Sequence, residues 1–350
     1  MSNPPPSSPI RQFASDTYAG MCPEAVAAFQ EANRGHVTAY GDDWWTTRAT
    51  VLLRDLFETD CEVFFVSTGT AANALALAAL CQSYQSVLCH ADAHIQTDEC
   101  GAPEYAARGI KLIPLPGEQG KLEPEIVRRA ATGQRDVHSH KPGVLSLSLT
   151  SEAGTVYGVE EMRALGEVAR ETGLQVHVDG ARFANALATR RVSPAALTWQ
   201  AGVDVLCFGG AKNGLAVGDA IVFFNRDVAH EFAYRRKQAG HLLAKMRYVA
   251  APWVALLESG AWLRNAEHAN EMASQLEREL RAFAGLDLVY PVQANAVFVR
   301  IPPKWVEGLH QRGWHFYSIA GAERLMCSWD TEAADIDAFV KDLRAVAVTD

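Results

Sequence analysis

Four polar clusters in this 350-residue chain hold side chains that could act together in covalent amine chemistry. Lys212 lies in GGAKNG, and a lysine held in a desolvated site can attack a carbonyl to form an imine. Asp179 lies 33 residues earlier and opens DGARFANA. A carboxylate at a buried strand end needs a cationic partner, and a pyridinium N–H is one. Arg182, three residues on, offers a fork for a planar anion. Ser67-Thr68-Gly69-Thr70 precedes an alanine-rich run, and a helix starting there would aim free amides and its dipole at a phosphate. His94, in HADAHIQTDEC, could stack on a flat heteroaromatic ring. Each cluster alone has a plain structural alternative: a capped helix start, a loop histidine, an Asp179–Arg182 salt bridge or a solvated lysine. Their order and joint occurrence favour one cofactor site.

The elements that must position these residues can be read from periodicity. Strand-length apolar runs CEVFFV, SVLCH, IKLIPL, GVLSLSLT, LQVHVD and VDVLCFGG alternate with helix-period segments. AANALALAALC reads as a helix against a sheet, and VEEMRALGEVARETG as an amphipathic helix closed by Gly173. Such alternation predicts an α/β fold with a parallel sheet covered on both faces. Sheets of this kind hold ligands at the carboxyl ends of their strands, where all four clusters fall. AIVFF reads as one more strand of the same sheet. The stretch 252–283 reads as one long helix with a bend at Gly260. A smaller α+β unit follows. The expected organisation is a mobile Pro/Ser-rich tail over 1–12, a large domain over 13–253 and a small domain over 254–350.

Composition narrows the function. Hydrophobic residues make up 49% and charged residues 21%, enough for a normal core. The formal charge of −9 argues against nucleic acid or an anionic membrane as partner. No apolar run reaches membrane-spanning length, and the N-terminus lacks a secretory pattern. Seven cysteines without CxxC spacing read as reduced, mostly buried thiols of a cytoplasmic protein. GxGxxG, GxxxxGK[ST], HExxH and GxSxG are absent, against nicotinamide, nucleotide, zinc-peptidase and serine-hydrolase chemistry. No metal-ligand spacing is present.

From Phe13 to about Leu343 the chain resembles the threonine aldolase branch of the fold-type I enzymes that use pyridoxal 5′-phosphate (PLP). The resemblance is carried by FASD, YGDD, STGTAANALAL, HADAHIQTDECGAPE, DGARFANAL, WQAGVDVLCFGGAKNG, YRRKQAGH and the Ser328-Trp329 segment after Arg324. It implies that Lys212 binds PLP covalently, Asp179 pairs with the ring nitrogen and His94 stacks on the ring. Thr68, Gly69 and Thr70 would hold the phosphate, with Arg247 of AKMRY reaching it from a neighbouring subunit. Ser15, Arg182 and Arg324 would bind the substrate carboxylate, and Glu99 would lie beside the cofactor. His138, in DVHSH, would stand near the substrate hydroxyl, with His140 as a competitor. The implied reaction is cleavage of L-threonine, L-allo-threonine or a related β-hydroxy-α-amino acid to glycine and an aldehyde. His94, His138 or a water is the expected base.

A homo-oligomer is expected, dimeric at least and tetrameric by family habit, with shared sites. Two features depart from the family. Trp44-Trp45 follow YGDD, where they could favour aryl substrates such as phenylserine or pack in a subunit contact. Leu149-Thr150-Ser151 replaces an Glu-Asn-Thr segment. Other reaction types of the same fold, β-elimination and transamination, remain alternatives, as does a non-catalytic PLP-binding protein.

Overall fold

In the computed structural model, which describes residues 10–133, 136–319 and 321–348, the apolar runs form one large sheet. Its strands are β1 (Glu62–Val66), β2 (Gln85–His90), β3 (Lys111–Leu115), β4 (Lys141–Ser148), β5 (Gln175–Gly180), β6 (Val205–Phe208) and β7 (Asp219–Phe223). Their spatial order is β1-β7-β6-β5-β4-β2-β3. Neighbours from β6 through β3 run parallel, as the alternation predicts. β7 runs antiparallel to both of its neighbours. The reason is the link before it: residues 209–218 hold one 3-10 turn and are too few for a crossover helix.

The strands read as continuous apolar runs because both sheet faces are covered. Along β7, Ala220 and Val222 enter one core cluster, whereas Ile221 and Phe223 enter the other. The helix Gly69–Leu80 is buried along almost its whole length. Its alanines permit close approach to the sheet, and Val205, Cys207 and Ile221 share a core with Ala72 and Ala76. The helix Val159–Thr172 ends at Gly173, whose φ of 71° takes the left-handed cap.

The long C-terminal helical stretch is two helices, Arg247–Ser259 and Ala261–Arg281, parted at Gly260 with φ 71°. The second helix joins the two cores. Ala261, Trp262 and Ala266 pack into the large unit, and Met272, Ala273, Leu276 and Leu280 into the small one. The small unit carries a four-stranded antiparallel sheet built on Ala296–Arg300 and Ala322–Met326.

The N-terminal expectation needs correction. Residues 1–9 of the expected tail lie outside the described residues. Arg11 and Gln12, however, pair in parallel with Trp314 and His315. Phe13 stacks on Trp314 and is fully buried in the small unit's core. A large apolar ring next to an open strand edge gains more from that core than from solvent. Residues 11–13 are thereby fixed to the C-terminal unit.

Candidate active site

Asp179 closes β5 at the carboxyl edge of the sheet and is 6% exposed. Its Oδ1 accepts from the Ala181 amide at 3.0 Å and its Oδ2 from Asn73 Nδ2 at 2.9 Å. Burial opposes its charge, but the Ala181 amide and the positive fields of Lys212, His94 and His177 outweigh it and hold the carboxyl below its ordinary range. Lys212 sits in the 3-10 turn Ala211–Asn213 that follows the adjacent strand β6. Its charge bears on Asp16, Glu99, Asp179 and Asp219. Among the described residues no ion pair or hydrogen bond engages its amine. A half-buried lysine ringed by carboxylates yet bonded to none is held available for a further partner.

His94 begins the short helix His94–Thr97, with Asp98 Oδ2 facing its Nδ1 at 3.9 Å. Thr68 is the N-cap of the helix Gly69–Leu80, its hydroxyl accepting from the Ala71 amide at 3.2 Å. That leaves the first-turn amides of Gly69 and Thr70 without acceptors inside the helix. A Cβ on residue 69 would stand 3.1 Å from Asp219 Oδ2, so glycine keeps this cup open.

The two arginines differ in how they are held. Arg182 is clamped by Asp16, Nε to Oδ2 at 2.7 Å and Nη2 to Oδ1 at 3.0 Å. Asp16 also accepts from Asn295 Nδ2 at 3.1 Å. Burial disfavours both charges, yet the pair restores them: Asp16 stays below and Arg182 above its ordinary value. Arg324 gives one Nη2 bond to the Ala14 carbonyl at 3.1 Å, and its Nε is buried with no partner among the described residues. Burial and the field of Arg182 pull its pKa down. It is the guanidinium with capacity left for an incoming carboxylate. Ser15 caps the 3-10 turn Asp16–Tyr18, its hydroxyl 2.7 Å from that of Thr17. That turn packs against the Lys212 turn.

Glu99 is 4% exposed and accepts from Asn73 Nδ2 at 2.9 Å. Its Oε2 and Asn73 Oδ1 are buried without partners among the described residues. Burial raises the Glu99 carboxyl to about 8, the Asn73 bond opposes the rise, and the nearby Asp179 charge adds to it. Behind Asp179, on the same face of β5, His177 Nδ1 lies 2.9 Å from Ser146 Oγ and its Nε2 3.4 Å from Cys207 Sγ. Burial keeps His177 neutral by lowering it to about 4. Asn73, Asp16 and the His177 column were not singled out from the sequence. The signal for Asn73 was there, a lone polar residue on an otherwise Ala/Leu helix. Nothing in the sequence pairs Asp16 with Arg182.

His138 is a correction. It was expected near the substrate hydroxyl, but it precedes β4 and is exposed at the amino edge of the sheet, its amide bonded to Asp136. Asp179 lies at the carboxyl end of one parallel strand and Lys212 follows that of the next, so the eight-residue β4 separates the two edges by about 26 Å. His140 shares that edge, with Nδ1 3.3 Å from the Gln85 carbonyl. The fold of one chain therefore keeps both away from Lys212. Arg247 opens its helix beside Tyr248, with Nη2 3.4 Å from the tyrosine hydroxyl and Nε buried unpartnered. Among the described residues no hydrogen bond or ion pair joins it to Thr68–Thr70. Trp44 is 60% exposed and stacks edge-on with the half-buried Trp45. Ser151 is buried and bonds to Thr155 and the Gln119 carbonyl. Six of the seven cysteines are buried, and burial pushes Cys81 and Cys89 up to about 12, which makes them inert.

The pattern of the β-eliminating lyase family matches residues 12–302. The chain belongs to that family. It is 54% identical to a low specificity L-threonine aldolase of Pseudomonas aeruginosa over 96% of this chain and 98% of that one. A threonine aldolase of Leishmania major superposes with a TM-score of 0.90 at 28% identity, covering 96% of this chain and 99% of that one. An aspartate aminotransferase of Thermus thermophilus, 17% identical with a TM-score of 0.73 over 96% and 91% of the two chains, shares the fold. The α/β architecture is thus that of fold-type I. As a family member the chain is a carbon–carbon lyase of the threonine aldolase kind.

The residues present fit the cofactor implied by the resemblance. An unbonded lysine amine, a buried carboxylate kept charged and an open amide cup lie along one sheet edge. Among the described residues no cluster of three or more His, Cys, Asp or Glu could hold a metal ion, and no helix is long and apolar enough to cross a membrane.

Proposed function

We propose that this chain binds PLP through Lys212 and cleaves β-hydroxy-α-amino acids such as L-threonine and L-allo-threonine to glycine and an aldehyde. One observation carries the reading: among the described residues the Lys212 amine carries no bond, and it lies beside an Asp179 that accepts from Asn73 and is held charged by the Ala181 amide and Lys212 itself. Lys212 would hold the cofactor aldehyde, Asp179 its ring N–H, His94 its face, and Gly69 and Thr70 its phosphate. Bound PLP supplies an electron sink for the pair released when the Cα–Cβ bond breaks.

The chain's own groups do the rest. Arg324 receives the substrate carboxylate through its unpartnered edge, and Arg182 is fixed by Asp16 alongside it. His94, directly or through a water, takes the β-hydroxyl proton, since His138 and His140 of the same chain stand at the far edge of the sheet. Ser15 sits in the turn packed on the Lys212 turn and lines the carboxylate side. Glu99 would lie beside the cofactor and act through Asn73, which it shares with Asp179.

The chain would work as a homodimer or tetramer, with Arg247 reaching a neighbouring phosphate cup. The exposed aromatics Tyr105, Tyr234 and Trp44 support an assembled state. Sedimentation at low concentration tests it, and a fully active monomer would refute it.

The deciding experiment compares wild type with Lys212→Ala. Wild type should show the long-wavelength absorbance of lysine-bound PLP and release glycine and aldehyde from L-threonine, L-allo-threonine or L-phenylserine, and the variant should lose both. Absorbance without aldehyde from any of these substrates would discard the aldolase reading in favour of elimination or transamination.

A further inference from the structure

Asp219 is a buried carboxylate that the chemistry above does not use. It begins β7, opposite Val66 of β1, and so lies between the two loops of the site. On one side is the Lys212 loop: Asp219 Oδ1 accepts the Gly210 amide at 2.7 Å and the Ala211 amide at 3.5 Å. On the other is the cup of Ser67-Thr68-Gly69-Thr70. Oδ2 carries no hydrogen bond among the described residues, and it is the atom that a Cβ on residue 69 would meet at 3.1 Å. The residue is 5% exposed. A side chain this buried, with one oxygen spent on the lysine loop and the other aimed at an amide cup, is built to meet a ligand there.

Given the reading that the cup takes the phosphate of PLP, we infer that Asp219 is a proton-bearing phosphate ligand that donates from Oδ2. Two anions in one cup repel. One proton shared between them turns the repulsion into a short charge-assisted hydrogen bond. The free protein already leans this way, since burial raises the Asp219 carboxyl against the pull of the Gly210 and Ala211 amides and of Lys212, and the field of Asp179 adds to the rise.

Within the same chain, the other groups around Asp219 leave this proton in place. Lys212 comes from the turn after β6 and Asp179 from β5. Ser67, next to the strand partner Val66, is occupied by His241, whose Nδ1 is 2.7 Å from its hydroxyl. Arg236 lies over the Phe64 ring on β1. Arg247 opens the helix whose Val249 a Cβ on residue 218 would meet. None of them forms an ion pair with Asp219 among the described residues. Asp219 therefore couples two events. It fixes the Lys212 loop through Oδ1 and senses the phosphate through Oδ2, so cofactor retention weakens as pH rises and the proton is lost.

The test compares wild-type holoenzyme with Asp219→Asn, whose amide keeps both an acceptor and a donor but cannot ionise. Dissociation constants are measured by dialysis and absorbance for PLP and for pyridoxal, which lacks the phosphate, between about pH 6.5 and pH 9. The wild-type constant for PLP should rise at least ten-fold relative to the variant's across that range, and the same ratio for pyridoxal should stay level. A level ratio for PLP, with PLP still held far better than pyridoxal, would overturn the role of Asp219 alone. Equal retention of PLP and pyridoxal by wild type would overturn the phosphate cup and this inference with it. The ³¹P resonance of the wild-type holoenzyme gives a measurement that needs no variant: it should titrate over the same range, and a flat response would refute the shared proton.

Discussion

Replacing Glu99 by glutamine should make the protein less sensitive to alkaline pH. Glu99 is almost fully buried, its Oε1 holds Asn73, and its Oε2 has no partner. Burial lifts its carboxyl from an ordinary 4.5 to about 8. The folded state therefore keeps a proton that the unfolded chain gives up, and stability falls with pH wherever the native form binds more protons. This contribution is complete below about 4.5 and is lost as pH rises through about 8. At about 1.4 kcal/mol per pH unit, the separation sets an upper bound of about 5 kcal/mol. Glutamine keeps an acceptor for Asn73 and has no proton to lose. The assay is calorimetric Tm of the holoenzyme from about pH 5.5 to 8.5 for both proteins. Other titrating groups are common to the two, so the difference between their slopes isolates residue 99. At roughly 2 °C per kcal/mol, the wild type should lose several degrees more than the variant. Parallel curves, or a steeper fall in the variant, would refute a protonated Glu99.

Two further outcomes follow from the same geometry. Arg324→Met should lower kcat/KM for the amino acid by ten- to a hundred-fold, the loss of a charge-assisted contact of about 1.5–3 kcal/mol, while the absorbance of bound PLP stays unchanged; loss of the absorbance as well would place Arg324 at the cofactor instead. His177 is held near 4 by burial, so stability should be full above about 6.5 and decline as pH falls toward about 4. Acid unfolding of His177→Gln, monitored by circular dichroism, should lack part of that decline, and an identical acid limb would show that burial does not hold His177 below its ordinary value.

The placement of most candidate residues was legible before the fold. Lys212, Asp179, His94 and the cup at Gly69 occupy strand ends because apolar runs dictate strands and strands dictate edges. Short-range signals also served at Gly173 and Gly260, where the residue type alone permits the left-handed backbone. Partnership was not legible. Asp16 clamps Arg182 across 166 positions, and Asn73 joins Asp179 to Glu99 across 106 and 26 positions. No periodicity encodes such distances, because the hydrogen bond forms only once separate elements pack. Tertiary structure alone therefore decided which arginine is clamped by a carboxylate and which carboxyl burial pushes up.

The same division explains the reversals. His138 looked suited to the site by its neighbours in sequence, but a residue preceding a parallel strand stands at the edge opposite to one that follows. The last strand of the large sheet was expected as part of that sheet, and its antiparallel sense came from the shortness of the Lys212 loop. Phe13 was assigned to the large unit by its position in the chain, and its ring went to the core that could bury it. Residue type and spacing determine which groups exist and at which strand ends they fall. Which of them touch, how far each is removed from water and what charge each keeps depend on desolvation and long-range contact, which only the folded chain possesses.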